Sequence, residues 1–162
     1  MCHSTQIEAI KGEKVPNHDL RDMLGAFTGW SEVPLYQTVD LPPLGDDRGS
    51  LVAVEDYAIG FPVKRVYYIF HTKEGVKRGG HAHRRLRQLV VAVTGSCEFI
   101  LDNGVKRETI KLDSPTKGLV IGPMIWREMQ NFSEDCVLVV IASENYDESD
   151  YIRDYDQFRA IT

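Results

Sequence analysis

From Val39 onward, apolar and polar positions fall into short blocks separated by glycine, proline, asparagine and aspartate. Strands are predicted for Leu51–Val54, Val63–Phe70, Gln88–Thr94, Cys97–Leu101, Arg107–Leu112, Gly118–Ile121, Ile125–Met129 and Cys136–Ser143. These segments are rich in Val, Ile, Tyr and Phe and recur with the spacing of an all-β sandwich or small barrel. Asp102-Asn103-Gly104 lies between two of them and is a strong hairpin signal. Residues 1–37 differ: glycine, proline and asparagine are scattered, with one helix-like pattern around Leu20, Met23, Leu24 and Phe27. They read as an N-terminal extension, leaving 38–162 as the barrel domain. The tail from Tyr146 to Phe158 alternates aromatic and acidic residues and reads as a short helix or ordered arm.

Composition sharpens this picture. The chain has 162 residues, 43% of them hydrophobic and 27% charged, which suits one soluble domain and excludes disorder and coiled coil. A net charge of −5 argues against indiscriminate binding to nucleic acid or an anionic membrane. The charge is unevenly placed. Residues 64–88 carry eight Lys/Arg against one acid, and residues 134–156 carry eight acids against one base. The middle of the chain could therefore hold an anion that the tail would repel. Cys2, Cys97 and Cys136 are odd in number and widely spaced, which argues against a disulfide framework or a zinc site, and the apolar runs around Cys97 and Cys136 predict buried reduced thiols there. The N-terminus lacks a signal-peptide pattern, and the longest apolar run, Val137–Ala142, is far short of a membrane span. The chain reads as cytoplasmic.

The chemistry concentrates in Gly75-Val76-Lys77-Arg78-Gly79-Gly80-His81-Ala82-His83. On a strand, His81 and His83 point to the same face. Inward-facing imidazoles can bind a metal or move protons, and two surface histidines are the competing reading. The pattern resembles the first cupin motif, which closes at Gly95. The position of its acidic ligand is Gln88, and the histidine of the second motif is replaced by Arg127, four residues after Pro123. An amide and a fixed cation in the ligand shell oppose a transition metal. The resemblance therefore implies a cupin-type double-stranded β-helix, or jelly roll, with no metal and no other cofactor.

A more specific resemblance runs through residues 45–158. It is carried by Arg48-Gly49-Ser50-Leu51-Val52-Ala53, Lys64 to Phe70, Arg78 to His83, Gly95-Ser96-Cys97, Leu112-Asp113-Ser114-Pro115, Pro123-Met124-Ile125-Trp126 and Asp135 to Arg153, in that order. The chain resembles the dTDP-4-keto-6-deoxyglucose 3,4-ketoisomerases of bacterial surface-sugar synthesis. The reaction that this implies moves a ketone from C4 to C3 through an enediol. It needs a base, an acid and donors for an oxyanion. His81 is assigned as the C3 base and His83 as its proton-shuttling partner, and the two roles could be exchanged. Tyr67 shares a strand face with Arg65 and Ile69 and could bond the sugar oxygens or act as an acid. Arg48, Arg65 and Arg78 are candidates for the diphosphate, because guanidinium groups bind such anions through paired donors. Trp126 could stack on thymine or wall the sugar pocket, Gln88 could fix a histidine tautomer, and Arg127 completes the candidate substrate-binding set. The acidic tail reads as solvated or subunit-contacting.

Three other readings compete. A cupin-type epimerase also uses a histidine base but typically pairs it with an aspartate, and no acid lies near His81-Ala82-His83 in sequence. A non-enzymatic ligand-binding cupin would not need two inward histidines beside arginines. A metal-dependent dioxygenase is disfavoured by Gln88 and Arg127. The family resemblance also implies a homodimer with exchanged N-terminal strands.

Overall fold

A computed structural model describes residues 34–162. The helix-like pattern at Leu20–Phe27, Cys2 and most of the 1–37 extension lie outside the described residues. Twelve strands are formed among them: β1 (Gln37–Asp40), β2 (Leu44–Asp46), β3 (Gly49–Leu51), β4 (Arg65–Ile69), β5 (Arg78–His83), β6 (Gln88–Thr94), β7 (Cys97–Asp102), β8 (Arg107–Leu112), β9 (Lys117–Ile121), β10 (Trp126–Gln130), β11 (Val137–Ala142) and β12 (Tyr151–Ile152). Two short helices complete them, α1 (Asp56–Ile59) and α2 (Tyr155–Ala160).

The strands build two five-stranded antiparallel sheets, in the orders β1-β9-β6-β11-β4 and β12-β5-β10-β7-β8, plus the β2–β3 hairpin. This is the jelly-roll sandwich expected from the sequence. Its main core lies between the sheets, with Val90, Ala92, Phe99, Leu101, Leu119, Ile121, Leu138 and Val140 all buried. The alternate residues of β6, Leu89 and Val91, are buried on the other face of the same sheet against Leu41, Ile59 and Phe61. Burial on both faces explains why β6 reads as a continuous apolar run rather than an alternation. The predicted strand at Leu51–Val54 ends at Leu51. Val52 and Val54 instead pack onto this outer face as coil.

The other expectations differ at the edges. Gln37 already pairs with Val120, and Leu35 is buried in the core, so the sheet begins ahead of Val39. The hairpin at Asp102-Asn103-Gly104 forms as expected: Gly104 has φ 90° and its N–H donates to the Asp102 carboxylate at 2.7 Å. Cys97 and Cys136 are buried and free. The tail forms a 3-10 turn at Glu148–Asp150, then β12, then α2. Asp154 caps α2 by accepting the Gln157 N–H at 2.7 Å. Phe158 on α2 is fully buried with Trp126, Ala82 and Ile152. No described helix is long and apolar enough to cross a membrane.

Candidate active site

The pocket opens between the two sheets. Its volume is about 400 Å³, and Arg65 and Tyr67 of β4, Arg78 and His81 of β5, and Tyr151 and Arg153 of the tail line it, with Tyr146 at one wall. Alternation along β4 turns Arg65, Tyr67 and Ile69 inward and leaves Val66, Tyr68 and Phe70 exposed. The same rule turns His81 and His83 inward and Ala82 outward.

The two imidazoles are not equivalent. His81 faces the pocket, whereas His83 lies fully buried behind it. Their rings meet edge to face at 4.9 Å, and Tyr151 packs against both, 5.0 Å from His81 and 4.2 Å from His83. Burial, followed by the Arg127 charge, lowers the pKa of His81 to about 4 and holds it neutral. The same two causes, in the same order, hold His83 neutral and lower its pKa to about 2. Nδ1 of His83 lies 3.1 Å from Oδ2 of Asp150. The same carboxylate accepts the Arg85 and Leu86 backbone N–H groups at 2.9 and 3.3 Å. A carboxylate only accepts, so Nδ1 of the neutral imidazole carries the proton and Nε2 is the basic nitrogen.

Gly79 allows β5 to approach β10 this closely. Its φ is 85°, and a Cβ there would lie 2.6 Å from the Arg127 carbonyl. The β5–β10 register shifts between Arg127 and Glu128, beside the point where Arg127 pairs with His81.

Behind the pocket, Arg127 is 2% exposed and donates only to protein acceptors. These are the Gly122 carbonyl at 3.1 Å, the Ile125 carbonyl at 2.9 Å and the amide oxygen of Gln88. Gln88 in turn donates from Nε2 to the Tyr67 hydroxyl at 2.7 Å. Burial is the main reason the Tyr67 phenol stays above its ordinary pKa of 10.0.

Several sequence expectations meet a different geometry. Gln88 bonds Tyr67 and Arg127 rather than a histidine. Arg127 does not line the pocket, because its guanidinium is held behind it on the Gly122 and Ile125 loop carbonyls. Trp126 faces away from the pocket, since its neighbour Arg127 faces in. It meets Tyr155 edge to face at 5.0 Å and donates to Glu128 at 3.0 Å. Arg48 sits on the β2–β3 hairpin, its side chain 89% exposed and paired with Asp46. Arg65 and Arg78 do line the pocket.

The acidic tail pairs with the basic middle of the chain. Arg85 contacts Asp147 at 2.9 Å and Asp150 at 3.6 Å. Sequence reasoning missed Asp150, Tyr151 and Arg153, and Asp150 brings to His83 from the tail an acid that the sequence around the histidines lacks. The available signal was Tyr146–Arg153 itself, a dense run of aromatic and acidic residues. Arg153 sits over the Tyr151 ring at 4.2 Å and donates to Glu148 at 2.9 Å, which also accepts from the Tyr146 hydroxyl. Among the described residues, no group of three or more His, Cys, Asp or Glu side chains is placed to hold a metal.

A curated relative from Aneurinibacillus thermoaerophilus, a TDP-4-oxo-6-deoxy-alpha-D-glucose-3,4-oxoisomerase, is 52% identical over 124 residues, covering 76% of this chain and 89% of its own. A crystal structure of a 3,4-ketoisomerase from Helicobacter canadensis superposes with a TM-score of 0.75 at 45% identity, covering 78% of this chain and 96% of that one. A second structure is a histidine-to-asparagine variant of the 3,4-ketoisomerase QdtA from Thermoanaerobacterium thermosaccharolyticum, in complex with TDP-4-keto-6-deoxyglucose. It superposes with a TM-score of 0.77 at 38% identity, covering 80% and 94% of the two chains. Residues 35–162 match the FdtA family, described as WxcM-like, C-terminal. The chain belongs to that family of sugar-nucleotide 3,4-ketoisomerases.

Proposed function

We propose that the protein converts dTDP-4-keto-6-deoxyglucose into a dTDP-3-keto-6-deoxyhexose by proton transfer within this pocket, in the synthesis of deoxyaminosugars. The observation that carries the reading is a neutral imidazole, His81, facing a pocket that three phenols and three guanidinium groups also line. His81 removes the C3 proton. The C–H electron pair forms the C3=C4 double bond, and the carbonyl pair moves onto O4. O4 takes up a proton, the O3 proton leaves as its O–H pair forms C3=O, and the C3=C4 pair takes a proton at C4. His83, anchored by Asp150, packs edge to face on His81 at 4.9 Å and holds that ring in place. Tyr67 donates to the sugar, and Arg65, Arg78 and Arg153 hold the diphosphate.

The active unit is a homodimer. The β2–β3 hairpin exposes Leu44 and Leu51, and β4, an edge strand among the described residues, exposes Val66, Tyr68 and Phe70. A partner copy covers these surfaces when the hairpins are exchanged, which gives Arg48 a role that it lacks within one chain.

The decisive experiment is proton NMR of dTDP-4-keto-6-deoxyglucose in deuterated buffer with a chelator present. The expected result is a 3-keto product with deuterium at C4, and coupling constants of product made in ordinary water give its C4 configuration. The His83–Asp150 contact favours one second reading, a cupin-type epimerase. Deuterium entering at C3 without ketone migration would establish that reading instead.

A further inference from the structure

Gln88 and Arg127 are buried behind the pocket, make no side-chain hydrogen bond to either histidine, and form one chain of hydrogen bonds that ends on Tyr67. The direction of that chain is fixed by chemistry. A guanidinium has donors only, so the Gln88 atom facing Nη1 of Arg127 must be the carbonyl oxygen. The other end of the amide is then the NH2 group, which also only donates, and it meets the Tyr67 oxygen at 2.7 Å. The phenol oxygen therefore accepts, and its own hydrogen is left to point elsewhere. Among the described residues, the Tyr67 hydroxyl makes no other hydrogen bond, and Tyr67 lines the pocket.

We propose that Arg127 and Gln88 are positioning residues that commit the Tyr67 hydroxyl to donate to O4 of the sugar, where negative charge develops as the C3 proton leaves. This rests on the ketoisomerase reading. Two features strengthen the donor. The guanidinium polarises the amide, and chains of hydrogen bonds reinforce one another in a low-dielectric interior. Neither group must reorganise during the reaction, because Arg127 is also tied to the Gly122 and Ile125 carbonyls. The same chain explains why an arginine can occupy the position of a metal ligand. It stabilises the oxyanion at one remove, through a neutral amide and a phenol.

The test compares the full-length protein with Tyr67→Phe, Gln88→Glu and the double variant, all assayed with a chelator because Gln88→Glu adds a carboxylate near His81 and His83. A carboxylate accepts from both Arg127 and Tyr67, so it keeps the buried contacts but turns the phenol hydrogen away from the sugar. Gln88→Glu is expected to lower kcat about a hundredfold, the scale of losing one oxyanion donor, with KM and TDP affinity little changed. The double variant is expected to be no slower than Tyr67→Phe alone, because the glutamine acts only through the phenol. Full activity in Gln88→Glu would overturn the proposal. So would an equal loss from Gln88→Glu in the wild-type and Tyr67→Phe backgrounds. A wild-type protein that neither migrates the ketone nor exchanges deuterium would remove the ketoisomerase reading and this proposal with it.

Discussion

Oδ2 of Asp150 lies 3.1 Å from Nδ1 of His83, although 67 positions separate the two residues in the chain. The carboxylate comes from the tail and the imidazole from β5. They meet because β12 pairs with β5, Tyr151 opposite His83 and Ile152 opposite Ala82. One acidic side chain thus orients a histidine and anchors the Arg85–Leu86 backbone. Replacing Asp150 with Asn presents an amide that can donate to the imidazole and favours the opposite tautomer. The expected outcome is a kcat at least tenfold lower, together with a loss of about 1–3 kcal/mol of stability from buried groups left unpaired. Deuterium-exchange kinetics and urea unfolding on the same variant measure both.

Replacing His81 with Asn removes the pocket-facing base while keeping a polar side chain of similar reach. Proton transfer by a positioned side chain is worth about 10²–10⁴ in rate. The variant is expected to lose that much activity and still bind TDP in calorimetry. Wild-type turnover in His81→Asn would move the base to His83.

The acid limb of kcat/KM is set by protonation of His81. Its folded pKa of about 4 lies below its ordinary 6.5, so activity is expected to hold well below pH 6.5 and fall only as pH approaches 4. Tyr67 must keep its proton to donate, and it ionises above its ordinary 10.0, so no alkaline loss from this group is expected before that pH. Stability follows the same sign. The unfolded chain takes up a proton at each histidine near pH 6.5, while the folded His81 resists until about 4. Its contribution is intact above 6.5 and is lost as pH falls through that window, which a series of melting curves will record.

Arg153 entered the site from the tail, whereas Arg65 and Arg78 were expected there. A hydrogen bond to a charged partner is worth about 1.5–3 kcal/mol, so Arg153→Ala is expected to weaken TDP binding about tenfold or more. The salt dependence of the remaining affinity should also flatten. Calorimetry at two ionic strengths tests both. Unchanged affinity would assign Arg153 to holding Glu148 alone.

The exposed apolar strip on β4 provides the test of assembly. Tyr68→Lys places a charge in the surface assigned to the partner copy, and light scattering is expected to shift from a dimeric to a monomeric mass. A monomeric wild-type protein at micromolar concentration would refute the dimer.

The fold was largely readable because short apolar runs bounded by turn residues are local signals, and edge strands such as β4 and β8 add period-two alternation. The inward set on β4 followed from the same rule. What escaped was non-local or two-sided. Nothing near His81 or His83 announces Asp150, whose approach depends on the pairing of β12. Trp126 and Arg127 are adjacent on β10, and adjacent strand residues point to opposite faces, so alternation excluded one of them from the pocket. The buried arginine took the inner face, and the tryptophan packed under α2. Arg48 could not be placed because it lies in the turn of a hairpin whose two short strands are exposed throughout and have no core to point toward.

The position of β12 in the chain also bears on how the protein comes into being. A polypeptide interrupted before residue 150 would already contain β1–β11 and nearly all of the core between the sheets. It would lack the carboxylate behind His83, the ring that braces both imidazoles and one of the three guanidinium groups. Such a product would keep the core between the sheets but uncover Trp126 and Ala82, which Ile152 and Phe158 bury in the whole chain, and its site would be unfinished. Turnover therefore reports that translation has run through the final turns of the molecule.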